Sequence, residues 1–118
     1  MGREVRITLQ TLQVLRVLLT DPMDEHYGLE ISRESGLPTG SIYPILTRLE
    51  TAEWVTSAWE NIDESAQGRR RRRYYRLTGE GAKCAQDEVA KAHQLLSPTA
   101  PRSGGLRPER LLPGGASA

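Results

Sequence analysis

The sequence has no phenylalanine, and aromatic residues make up only 5% of its 118 positions. A packed core must therefore be aliphatic, with Trp54, Trp59 and four tyrosines as its only large rings. There is one cysteine, Cys84, so an intramolecular disulfide and a cysteine-based zinc knuckle are both excluded. Cys84 is read as a small packing residue. His26 and His93 stand far apart, and no Cys/His/Asp cluster has metal-ligand spacing. No nucleophile–base set, glycine-rich phosphate loop or carboxylate pair stands out, so neither catalysis nor a cofactor is expected. No apolar run approaches the ~20 residues that span a bilayer, and the N-terminal pattern is interrupted by Gln10, Gln13 and Arg16, unlike a signal peptide. A cytoplasmic protein without a membrane partner is expected.

Net charge is also missing: the formal total is +1. That neutrality hides an asymmetry. Residues 20–67 hold ten acidic side chains against Arg33 and Arg48 alone. Residues 68–79, "GRRRRRYYRLTG", hold six arginines and no acid. A chain with so local a basic charge meets a polyanion along a narrow line, if at all.

Around that run the hydrophobic pattern sets an order of elements. Leu9, Leu12, Leu15 and Leu19, widened by Val14, Val17 and Leu18, predict a buried first helix that stops at Asp21-Pro22. A second helix is expected from about Asp24 to Ser35-Gly36, with Gly28 inside it, excused by close packing against another helix. "LPTG" is a turn, and Thr39 or Gly40 is expected to cap a third helix whose Ile42, Ile45, Leu46 and Leu49 form one face. "WVTSAWE" and "RRYYRLT" read as the strands of a hairpin, with residues 61–70 as its polar loop. Thr78 is expected to cap a fourth helix, Gly79 to Leu96. From Ser97 onward four prolines and four glycines mark a disordered tail. The fold class is mainly α with a small β-hairpin (α+β): a winged helix-turn-helix, residues 1–78, then a C-terminal helix, 79–96, with a heptad-like seam of small residues, and a tail, 97–118.

Two short helices and a tight turn followed by a basic hairpin suit double-stranded DNA. The third helix enters the major groove and the wing meets the phosphate backbone. Candidate contacts on the helix are Thr39, Ser41, Tyr43 and Arg48. On the wing they are Arg69, Arg70, Arg71, Arg72, Tyr74 and Arg76, because arginine couples charge to a forked donor set. Period-two alternation from Leu77 places Tyr75 and Arg73 on the core side and Tyr74, Arg72 and Arg76 on the other. Trp54 is read as core, and Trp59 as out of phase with Val55 and exposed.

"HYGLEIS", "GLPTGSIYPILTRLE" and "RRYYRLTGEG" together resemble the PadR family of winged helix-turn-helix transcription regulators. The resemblance spans about residues 9 to 92. It implies a homodimer on a quasi-palindromic operator, usually as a repressor, with the last helix pairing the subunits. The seam Ala82, Ala85, Val89, Ala92 and Leu96 is the candidate dimer interface. Some relatives bind flat aromatic compounds there, but this helix has no aromatic residue, so a small-molecule effector is only a secondary expectation. Two features depart from the family. "TAEWV" has Glu53 where a glycine commonly precedes an aliphatic pair, and the C-terminal helical part is short. The acidic middle segment keeps a rival open: a protein-interaction module, such as an anti-repressor or adaptor, on a winged fold that does not bind DNA.

Overall fold

A computed structural model describes residues 5–97. The elements run α1 (Leu9–Leu19), β1 (His26–Tyr27), α2 (Gly28–Ser35), α3 (Thr39–Thr51), β2 (Val55–Trp59), α4 (Glu64–Gln67), β3 (Arg73–Leu77) and α5 (Gly79–Leu96). Helix-rich, with one small antiparallel sheet in the order β1-β3-β2, the chain is an α+β winged helix. The expected tail beyond Ser97 lies outside the described residues.

The aliphatic core expected from the composition is present. Val14, Leu15 and Leu18 of α1 meet Ile31 of α2 and Ile42, Ile45, Leu46 and Leu49 of α3. Trp54, Val55, Tyr75 and Leu77 close the core from the sheet side and Ala85 from α5. Thr8 caps α1 by accepting from the Thr11 N–H at 3.1 Å. Gly36 ends α2 at φ 78°, a left-handed value at which glycine carries no steric cost. Thr78 caps α5: its hydroxyl accepts from the Gly81 N–H at 2.8 Å.

Four local expectations need correction. The second helix does not begin near Asp24, because His26 and Tyr27 are drawn into the sheet, pairing with Tyr75 and Tyr74. Gly28 is thus the first residue of α2, not an interior one. Its bareness still has a packing cause: a Cβ there would overlap the Tyr43 phenol of α3. The cap of α3 is Pro38, whose carbonyl accepts from the Ser41 N–H at 2.9 Å, so Thr39 and Gly40 are already helical. The polar loop of the hairpin contains a turn of helix, α4, capped by Asp63 and ended by Gly68.

The departure at Glu53 has a visible result. Among the described residues Glu53 is the one non-glycine with positive φ, at 67°. The chain turns from α3 into β2 there, in a conformation that glycine adopts without strain.

Candidate nucleic-acid interface

Pairing of β2 with β3 puts Thr56 opposite Arg76 and Ala58 opposite Tyr74 on one face. Val55, Ser57 and Trp59 oppose Leu77, Tyr75 and Arg73 on the other, the face turned to the core. The strands outrun the core. Trp59 is therefore in phase with Val55, contrary to the sequence reading, yet 55% exposed. Arg73, expected to point inward, emerges beyond Tyr75. Its guanidinium lies 5.6 Å from the centre of the Trp59 ring and donates to Ser57 Oγ at 2.8 Å. It also pairs with Glu50 of α3 at 3.6 Å. Glu50 accepts from the Ser57 hydroxyl at 2.7 Å. This network fixes the angle between α3 and the wing.

Between them lies a groove of about 800 Å3. Tyr43, Thr47 and Glu50 of α3 form one wall, and Trp59, Arg71, Arg72 and Arg73 of the wing form the other. Its floor includes Gly28, at the start of α2, and Tyr75. Arg33 and Glu30 of α2 also line it, so four arginines stand against Glu30 and Glu50. That excess of positive charge beside an exposed helix face has the chemistry of a polyanion-binding cleft.

The candidate contacts divide accordingly. Tyr43, Arg71 and Arg72 meet in the groove. Arg48 is exposed on α3 and makes no ion pair among the described residues. Thr39 and Ser41 are half-buried and outside the groove wall. Tyr74 and Arg76 lie on the opposite face of the sheet. There Tyr74 packs edge-on against Tyr27, with ring centres 6.1 Å apart, and Arg76 pairs with Glu25 at 3.0 Å. Sequence reasoning missed Arg73 and Thr47. Thr47 was legible, because it lies four residues after Tyr43 on the same helix face.

The arginine run is less available than its composition suggests. Glu60 receives two hydrogen bonds from the Arg69 guanidinium, at 2.7 and 3.2 Å, and one from the Arg72 backbone N–H at 2.9 Å. The Arg69 hydrogen bond, joined by that backbone bond, holds the Glu60 carboxyl at about 2, and the same contact raises Arg69. Arg69 is thus a tie across the wing tip. Arg71 pairs with Glu64 at 3.8 Å. Arg72 lies 5.4 Å from the centre of the Tyr27 ring, and its side chain, like that of Arg70, has no carboxylate partner among the described residues. Burial raises the Tyr75 and Tyr27 phenols above their ordinary value.

A second surface lies between α1 and α5. The first half of the α5 seam packs on its own chain: Ala85 is fully buried and Ala82 sits against the core. Ala85 is therefore removed from the candidate dimer face. Val89, Ala92 and Leu96 instead line a groove of about 350 Å3 with Leu9 and Leu12 of α1. Leu9, Leu95 and Leu96 are 67, 83 and 75% exposed.

The sequence profile of the transcriptional regulator PadR-like family matches residues 14–87, more than half of the chain. The chain belongs to that family. In this PadR-like chain the matched span runs from within α1 into the first half of α5, so it contains both walls of the groove. No curated protein matches the sequence. Among solved structures, disulfide-formed AbfR is 26% identical, with a TM-score of 0.59, over 79% of this chain and 57% of that one. Reduced AbfR bound to DNA is 25% identical, with a TM-score of 0.60, over 78% of this chain and 60% of that one. BpsR of Bordetella bronchiseptica, whose DNA binding is regulated by 6-hydroxynicotinic acid, shares the fold at 14% identity, with a TM-score of 0.62, over 79% of this chain and 64% of that one. The chain spans less than two thirds of the length of each of these proteins. Among the described residues no helix is long and apolar enough to cross a membrane, and no cluster of His, Cys, Asp and Glu is arranged to hold a metal ion.

Proposed function

We propose that the protein is a DNA-binding transcriptional repressor, acting as a homodimer on a quasi-palindromic operator in the cytoplasm. The groove between α3 and the wing carries this reading: it sets the exposed face of α3 beside Arg71, Arg72 and Arg73. Residues up to Thr78 form the DNA-binding part. α3 lies in the major groove, while Arg70 and Arg72 meet phosphates. The last turns of α5 and the start of α1 supply the dimer contact, where Leu9, Leu95 and Leu96 are exposed. One recognition helix reads too few base pairs for a genome, and two half-sites multiply the discrimination. Repression follows from operator occupancy that excludes polymerase.

The test is selection of bound duplexes from random sequence, then footprinting of the best site. Enrichment of an inverted repeat, protected over both halves, is expected. A random duplex binding as tightly as the best selected one refutes the reading. The four ion pairs that neutralise wing arginines favour one rival, a protein-binding winged fold. Under that rival no duplex is enriched, and the chain co-elutes with a protein partner instead.

A further inference from the structure

The exposed face of α3 has an unusual chemistry for a helix that reads DNA. Its exposed positions are Gly40, Tyr43, Pro44, Thr47, Arg48 and, at its C-terminal end, Thr51, opposite the buried Ile42, Ile45, Leu46 and Leu49. The helix contains no Asn, Gln or Lys. The forked amide contact to adenine is therefore unavailable, and Arg48 alone can make the forked contact to guanine. The acceptor suited to the cytosine amino group is occupied, because Glu50 is held by Ser57 and Arg73. What α3 does present is carbon: the Tyr43 ring, the Pro44 ring and the Thr47 methyl. Tyr43 is 40% exposed with its hydroxyl end laid over Gly28, and among the described residues nothing lies within 4 Å of a Cβ placed on Gly40.

Resting on the DNA-binding reading above, we infer that α3 recognises its half-site through thymine methyl groups. In the major groove the C5 methyl of thymine is the apolar feature a base edge offers, and a threonine methyl or a ring is its complement. Pro44 and Thr47, with the edge of Tyr43, specify thymines, while Arg48 accepts one guanine. The half-site is a short thymine-rich block bounded by a G·C pair. The open space over Gly40 lets the DNA approach the helix closely there.

The experiment uses the full chain and its best selected duplex, resynthesised with deoxyuridine in place of each thymine in turn. Deoxyuridine keeps the pairing and every hydrogen-bonding group and removes only the methyl. Loss of one buried methyl weakens binding about fourfold. One to three positions per half-site are expected to show that loss. The loss should disappear at one position in Thr47→Ser, which keeps the hydroxyl, and at a neighbouring one in Pro44→Ala. Unchanged affinity at every deoxyuridine position overturns the inference while leaving operator binding intact. A loss that persists in full in both variants also overturns it. Failure of any duplex to exceed random sequence overturns the DNA-binding reading, and this inference with it.

Discussion

Gly79 and Gly81 both lie in the first turn of α5, yet a methyl group added to each should act in opposite directions. Among the described residues a Cβ at Gly79 meets nothing within 4 Å. A Cβ at Gly81 runs into the backbone of Trp54, at its carbonyl and Cα. That carbonyl also accepts from the Thr78 N–H at 2.9 Å and the Thr78 hydroxyl at 3.3 Å, which seat α5 on the turn between α3 and β2. In Gly81→Ala the better helix propensity gains up to about 1 kcal/mol. Against it stand about 1–3 kcal/mol for forcing a group into packed backbone and about 1 kcal/mol for the strained hydrogen bonds. The balance is a loss of about 2 kcal/mol. For a domain of this size that lowers the melting temperature by about 8–16 °C. Gly79→Ala should be neutral or up to about 1 kcal/mol more stable. Urea titration followed by circular dichroism measures both, with an unchanged denaturant slope as the sign that compactness is preserved. If Gly81→Ala unfolds within about 0.5 kcal/mol of Gly79→Ala, a margin typical of innocuous surface changes, the close approach of α5 to Trp54 is refuted.

Glu53→Gly should stabilise the chain by about 0.5–1 kcal/mol, relieving the left-handed backbone at φ 67°; a less stable protein in the same titration contradicts the strain. Arg70→Ala with Arg72→Ala should reduce the slope of log affinity against log salt by about 0.9 per phosphate contact, measured by fluorescence anisotropy. Arg69→Ala should leave that slope unchanged while speeding amide exchange around the wing tip. The Glu60 carboxyl sits at about 2 in the folded chain, below its ordinary 4.5. Its tie to Arg69 is therefore fully stabilising above about pH 4.5, weakens as pH falls, and is lost below about pH 2. Carboxyl NMR should show Glu60 titrating last, and a midpoint near 4.5 rules the tie out. Leu96→Glu should shift sedimentation from dimer to monomer, and a persistent dimer would move the interface off the α1–α5 groove.

Helical periodicity made α1, α3 and α5 legible, because a buried face repeats several times along each. β1 was not, since two residues carry no period, and what recruits His26 and Tyr27 is the edge of a strand some fifty residues later. The parity of β3 was read correctly from Leu77, while Trp59 of β2 was assigned the wrong face; and parity does not say where the core stops. Arg73 has an inward phase and still reaches the groove, where its guanidinium meets Glu50, Ser57 and the Trp59 ring. The arginine run was read as a block of available charge. The acids that neutralise part of it, Glu25, Glu50, Glu60 and Glu64, are scattered through the acidic half and converge only in three dimensions.

The two-residue strand β1 has a kinetic consequence. Its pairing with β3, and the Glu25–Arg76 pair beside it, join positions 51 or fewer residues apart. Contacts of such sequence separation form late, after the intervening loop has closed. The start of α2 is therefore set only when the wing has folded back. On a ribosome the helix-turn-helix would emerge complete in sequence yet unfinished in shape, and it would acquire its final geometry only once β3 had followed it out.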